Sequence, residues 1–181
     1  MRKTNVKFIT NTAMLLAVII VVQMIGTLIS DSFRNLVVGS LVNACLLIAT
    51  AFAGIWSGLI IAIAAPYMSL INNHATIAPF LVLFAPFIAM GNFIFVLSFY
   101  LLRKKSKIAG ITAGAVLKFA FLYAAILVFF IVIKNMDLTA IAKFEKPLTL
   151  LFSYPQLITA FIGGAIAFSV IKLLKNQRRE M

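Results

Sequence analysis

The chain has 181 residues, of which 64% are hydrophobic and 11% are charged, and its mean hydropathy is +1.13. A soluble domain has roughly 45–50% apolar and about 25% charged residues, so this composition excludes an ordinary soluble globular protein. The formal net charge of +12 would be typical of a nucleic-acid-binding protein; here the basic residues flank apolar segments, which favours anionic lipid head groups as their neighbours and no nucleic acid.

Six apolar segments follow one another along the chain, and each is predicted to be a membrane helix. A spanning helix needs about 20 apolar residues. The predicted helices cover residues 8–29, 36–53, 59–71, 79–102, 108–133 and 148–173. The third is short and contains Pro66, the fourth contains Pro86, and the sixth has Pro155 in its first turns. The sequence therefore predicts an all-α integral membrane protein with one domain over residues 1–181.

Most of the basic residues lie in three groups that six crossings would bring to one side of the membrane. Eleven of the sixteen Lys and Arg residues come before the first segment, between the fourth and fifth, or after the sixth. Cytoplasmic flanks of membrane helices are enriched in Lys and Arg. The pattern predicts a six-transmembrane-helix bundle with both termini in the cytoplasm.

A polar loop between the third and fourth helices consists of residues 72–76 and lies between Pro66 and Pro79. Its Asn72, Asn73 and His74 form either a solvated turn or a rim that hydrogen-bonds a substrate. A short, proline-containing helix beside such a loop is typical of substrate sites formed where helices are interrupted.

Lys118 lies inside the fifth helix, about ten residues from its start and therefore about 15 Å deep. A lysine near the bilayer centre costs roughly 2.5–3.5 kcal/mol on insertion scales. None of the four acidic residues of the chain lies within a predicted span. Lys118 therefore bonds backbone carbonyls or a hydroxyl, or snorkels inward, or its partner is a carboxylate or phosphate of a ligand.

Several other polar residues lie within the predicted spans, and buried amides need hydrogen-bond partners. Most such residues join helices to one another. Together with Lys118, a subset could also line a cavity that opens to the outside: Gln23, Asn43, Asn92, Tyr123 and Gln156.

Small residues recur at four-residue spacing, as in Ala13 and Ala17 of the first helix and in Gly110 and Gly114 of the fifth. This spacing puts small side chains on one helix face and lets backbones approach closely. Each pair either packs inside the bundle or docks onto another membrane protein.

Motifs of energy conversion and catalysis are missing from the sequence. It has no Walker-type glycine loop, no HExxH and no paired carboxylates, and its lone histidine, His74, lies in a loop. The single cysteine, Cys45, allows no internal disulfide and no cysteine metal cluster. We expect neither an enzyme nor an autonomous pump, and no cofactor or metal.

The first helix carries the stretch AMLLA over residues 13–17, and residues 86–92 (PFIAMGN) and 163–167 (GGAIA) are also distinctive. With six predicted spans in about 180 residues, the chain resembles the substrate-binding S component of energy-coupling factor (ECF) vitamin transporters. In that family an alanine-xxx-alanine motif faces the coupling subunit, which here corresponds to Ala13 and Ala17.

The resemblance implies a multi-pass protein of the bacterial cell membrane that captures a vitamin at the outer face, using its last three helices and the outside loops. It also implies docking on one membrane coupling subunit and two ATPases. Lys118 favours a carboxylate-bearing ligand such as pantothenate or nicotinate, although no residue excludes a neutral vitamin. The alternatives are a self-sufficient secondary carrier or channel, and a membrane assembly protein whose polar residues only join helices.

Overall fold

The computed structural model describes residues 2–71, 78–135 and 144–180, and every element in these ranges is a helix. The helices are α1 (Arg2–Gly26), α2 (Asp31–Phe52), α3 (Ile55–Ile71), α4 (Ala78–Leu102), α5 (Lys107–Asn135), α6 (Glu145–Leu151) and α7 (Tyr154–Glu180). The predicted all-helical fold class is confirmed.

Five helical stretches are long and apolar enough to cross a membrane: Val6–Gly26, Phe33–Phe52, Phe80–Leu102, Lys107–Asn135 and Glu145–Asn176. A shorter apolar helix covers Ile55–Leu70. The 17 residues of α3 would extend about 25 Å, which is less than the roughly 30 Å thickness of a hydrocarbon core. The chain is thus a multi-pass membrane protein.

The connection between α2 and α3 is tighter than predicted. The sequence suggests a turn over residues 54–58 and a helix over 59–71, whereas α3 begins at Ile55. Gly54 adopts a left-handed conformation with φ of +94°, which only glycine adopts at little cost. The chain reverses direction at this one residue, so residues 55–58, which were predicted to be part of the turn, belong to α3.

The predicted sixth helix, residues 148–173, is interrupted in the structure. Helix α6 ends at Leu151 and α7 begins at Tyr154. Pro155 has no backbone N–H, so it cannot bond the carbonyl of Leu151 and is best tolerated in the first turn of a helix. The Gln156 side chain donates to the Leu151 carbonyl instead, at 3.4 Å. The break lets Phe152 turn inward, with its ring centroid 4.6 Å from that of Phe84.

Small residues bring the helices close together inside the bundle. A Cβ on Gly163 of α7 would lie against the Ser40 carbonyl oxygen and 2.6 Å from Asn43 Cβ of α2. A Cβ on Gly110 or Gly114 of α5 would meet the backbone of Phe99 or Phe95 of α4. These glycines therefore pack inside the bundle and do not form a docking face for another membrane protein.

The bundle has two ends, which its polar contacts define. At the basic end, where α1 begins and α4 leads into α5, Thr12 Oγ1 donates to Ser57 Oγ at 2.8 Å and Arg103 Nη1 donates to the Thr50 carbonyl at 2.6 Å. A large aliphatic core fills this half. The other half contains a smaller core rich in phenylalanine, including Phe80, Phe84 and Phe130. We call that half the cavity end, after the cavity described below.

Candidate functional site

A partly enclosed cavity of about 450 Å³ lies at the cavity end, where α1 finishes and α2 starts. Its volume falls within the roughly 300–1,000 Å³ of typical small-molecule sites. Apolar side chains form much of its wall. Its polar lining residues are Gln23, Arg34, Asn35, Asn43, Ser69, Asn92, Lys118 and Gln156.

Lys118 forms the floor of the cavity together with two asparagines. Its Nζ donates to Asn43 Oδ1 and to Asn92 Oδ1, each at 2.7 Å. The three side chains are 2–3% exposed. Their helices are α5, α2 and α4, so this cluster, which we call the lysine cluster, joins three helices about 15 Å from their basic ends.

The amide nitrogens of the two asparagines orient their oxygens toward Lys118. Asn43 Nδ2 donates to Thr159 Oγ1 at 3.4 Å, and Asn92 Nδ2 donates to the Ala62 carbonyl at 3.4 Å. Because each nitrogen has an acceptor on its own side, each oxygen is left to accept from the lysine. The arrangement leaves the lysine bonded to neutral groups.

Pro66 explains why the Ala62 carbonyl is available to Asn92. In an uninterrupted helix this carbonyl would accept the backbone N–H of the residue four positions later, which here is Pro66 and has none. A freed carbonyl in a membrane helix must find another donor. The proline inside α3 thus contributes to the geometry of the lysine cluster.

Gln23 lines the cavity from α1 and has one unsatisfied atom. Its Nε2 donates to the Ala65 carbonyl at 3.0 Å, and the side chain is 7% exposed. Its Oε1 has no hydrogen-bond partner among the described residues. Buried acceptors without a partner are rare in folded proteins, so this oxygen is a candidate ligand contact.

The opposite part of the cavity is apolar with one arginine at its edge. Phe152 and Leu81 belong to the phenylalanine-rich core and line the wall. Arg34 lies in the first turns of α2, and its Nε donates to the Gly26 carbonyl at the end of α1, at 2.9 Å. The cavity therefore combines a polar floor with an apolar wall, as expected for a site that binds a partly polar small molecule.

Five of the residues predicted to line a cavity come together here: Gln23, Asn43, Asn92, Lys118 and Gln156. Tyr123 does not line it. Tyr123 follows Lys118 by five residues, which turns it about 140° around α5, and it is 39% exposed with its ring 5.9 Å from that of Phe119. The predicted rim residues Asn72, Asn73 and His74 lie outside the described part of the chain.

Sequence reasoning missed Arg34 as a lining residue, because the predicted second helix began at residue 36 and left Arg34 in a turn. In the structure α2 begins five residues earlier, at Asp31. Arg34, Val38 and Val42 then follow one another at four-residue spacing on the face that reaches Asn43, and all of them line the cavity. The same spacing counted backward from Asn43 gives Gly39 and Asn35, which also line the cavity, and the row of Arg34, Val38 and Val42 lies next to them on the helix.

The predicted docking residues Ala13 and Ala17 are both exposed on α1. They are one turn apart and so share a face. In the apolar stretch of this helix 17% of residues are buried, the lowest share among the five long stretches. Unlike the glycines of α5 and α7, these two small residues are not covered by another described helix.

A family model described as "ECF transporter, substrate-specific component" matches residues 7–175. Neither a curated protein nor a solved structure matches the chain.

Proposed function

Because the chain belongs to the family of substrate-specific components of ECF transporters, we propose that it captures a water-soluble vitamin or related micronutrient for uptake. The observation that carries this proposal is the lysine cluster on the floor of a cavity of about 450 Å³. A few convergent polar groups in a largely apolar cavity are typical of small-molecule sites.

The proposed substrate contacts are Lys118, Asn43, Asn92 and Gln156, which all line the cavity. We retain residues 72–74 as a proposed rim, because they come in the sequence between α3 and α4, which end and begin at the cavity end. The exposure of Tyr123 on another face of α5 argues against a direct role, and we omit it from the proposed site.

The cavity end is proposed to face the outside of a bacterial cell membrane. Six crossings, with α3 as the third, would put both termini and residues 103–107 together on the opposite side. Those segments contain most of the basic residues, and cytoplasmic flanks are the ones enriched in Lys and Arg.

Docking on a coupling module is proposed to use the face of α1 that contains Ala13 and Ala17. Their exposure leaves a surface on which a partner helix could approach closely. The sequence has no Walker-type loop, so we assign ATP hydrolysis to two ATPase subunits that act with a membrane coupling subunit.

Replacing Ala13 or Ala17 by Trp should test the docking face. We expect the large ring to prevent close helix approach, so that the coupling and ATPase subunits no longer co-purify and vitamin uptake is lost, while binding by the isolated chain persists. Val18→Trp is the matched control, because Val18 is 44% exposed but lies about 100° around the helix from Ala17. Uptake that survives both alanine substitutions would contradict the proposed docking face.

A further inference from the structure

We propose that the cavity is built for a small carboxylic acid that also carries a hydroxyl or N–H donor on the side toward the mouth of the cavity. In this arrangement the acid contacts Lys118 and the donor contacts Gln23 Oε1. The inference depends on the proposed function, because it names the substrate class of the same cavity.

The first step concerns the charge at the cavity floor. Glu145 is an acidic residue whose side chain the structure describes. Its Oε2 lies 2.9 Å from Lys134 Nζ near the surface. Asp31 starts α2 twelve residues before Asn43, which corresponds to about 18 Å along the helix. In the described part of the chain, Lys118 therefore donates only to the neutral oxygens of Asn43 and Asn92, and its Nζ lies 5.6 Å from the centre of the Phe95 ring.

The second step concerns the group that would complete this floor. A lysine has three N–H donors, and the two asparagine oxygens use two of them. A buried cation is most stable beside an opposite charge that also accepts its hydrogen bonds. A carboxylate supplies one negative charge and acceptor oxygens to the one lysine of the floor.

The third step concerns Gln23, whose orientation is fixed by its other atom. Nε2 donates to the Ala65 carbonyl, so Oε1 is the acceptor. This oxygen is buried, has no partner among the described residues and belongs to a side chain that lines the cavity. A ligand hydroxyl or N–H would satisfy it.

The order of the two contacts along the cavity follows from α3. Asn92 is held by the Ala62 carbonyl and Gln23 by the Ala65 carbonyl. These carbonyls are three residues apart, which is about 4.5 Å along the helix. Gln23 is therefore held nearer the mouth of the cavity than Asn92, so the donor of the ligand should lie on that side of its acid group.

Binding measurements on the full chain in lipid nanodiscs test this inference. The probes are pantothenate and biotin, which have an acid and N–H donors, and their alcohols panthenol and biotinol, which lack the acid. Nicotinate is an acid without a donor, and nicotinamide, riboflavin and thiamine lack the acid. We expect pantothenate or biotin to bind most tightly of all the probes, and its alcohol to bind at least about thirtyfold more weakly, as for loss of one partner of a buried charge pair.

Substitutions then assign the contacts. Lys118→Met should weaken binding of the acid at least about thirtyfold and should leave the weak binding of the alcohol unchanged. Gln23→Leu should weaken binding of the acid about tenfold, as for loss of a ligand hydrogen bond. Lys107→Met is the matched control on the same helix, because Lys107 lies at the basic end, and it should bind like the unaltered chain.

The outcomes separate the inference from the proposed function. If an alcohol binds as tightly as its acid, or if nicotinate, nicotinamide, riboflavin or thiamine is the tightest ligand, the inference is overturned while the proposed function stands. Equal binding of the acid by Lys118→Met also overturns it. Binding of none of the eight probes contradicts both. The comparison of acid with alcohol uses the unaltered chain, so the test holds even if Lys118→Met fails to fold.

Discussion

At the residue scale, Lys118 is the side chain on which the cavity depends. Its position in α5 could be predicted by counting from the start of an apolar segment, and its lack of an acidic partner could be predicted from composition. Its partners could not be assigned, because the distance from Lys118 to Asn43 or Asn92 depends on how three helices pack. Its two bonds to amide oxygens indicate that the lysine contributes to stability as well as to binding.

Replacing Lys118 by Met should therefore destabilise the bundle by about 1–3 kcal/mol, since two buried amide oxygens lose their donor. If α5 were separated from the bundle, the lysine would face lipid. Replacing it by Met therefore makes the separated helix more stable and does not favour association of the helices. Denaturation in mixed micelles measures the change, and Asn43→Ala completes a double-mutant cycle in which we expect a coupling energy of about 1 kcal/mol. A bundle that becomes more stable after the Lys118→Met substitution would contradict this account.

At the element scale, two prolines shape the cavity. Pro66 and Pro155 could be seen in the sequence, but their consequences could not. Both freed carbonyls have a side-chain donor, Asn92 for Ala62 and Gln156 for Leu151. Even so, α3 continues past Pro66, whereas the chain breaks before Pro155 and turns Phe152 inward.

Tyr123 shows the limit of depth as a criterion. It was predicted to line the cavity because it lies within the same span as Lys118. Depth alone does not fix direction, since five residues turn a helical side chain about 140°. For Gln23 the sequence correctly indicated a cavity-lining residue. It did not indicate that Oε1 would lack a hydrogen-bond partner among the described residues.

Gly163→Ala tests how closely α7 must approach α2. The added methyl group would lie against the Ser40 carbonyl and 2.6 Å from Asn43 Cβ, so the helices must separate. We expect a loss of about 1–3 kcal/mol of stability and weaker vitamin binding, because Asn43 belongs to the lysine cluster. Ala165→Leu is the control on an exposed position of α7 and should change stability by less than about 0.5 kcal/mol. Equal effects of the two substitutions would contradict close packing at Gly163.

At the scale of the whole molecule, the distribution of charge and the position of the cavity point the same way. The apolar segments and the basic groups could be read from the sequence, because length and charge near a helix end are local properties. The cavity could not, because it is formed by residues from α1 to α7. The cavity lies opposite the basic end, and the charge pattern alone does not predict this location.

Cysteine labelling tests the proposed orientation. In a Cys45→Ala background, single cysteines replace Lys3, Asn73, Ser106 or Asn176. Only the cysteine at position 73 should react with an impermeant maleimide added to intact cells, because the basic flanks are proposed to be cytoplasmic. Labelling at position 106 from outside would contradict the orientation.

The central claim is that this chain binds its substrate but draws on a separate module for energy. Reconstitution in liposomes tests it most directly, with uptake of the bound vitamin as the measurement. The account predicts that the chain alone binds the vitamin but does not concentrate it under a proton or sodium gradient, and that adding the coupling and ATPase subunits with ATP on their side restores accumulation. Gradient-driven accumulation by the chain alone would contradict the account.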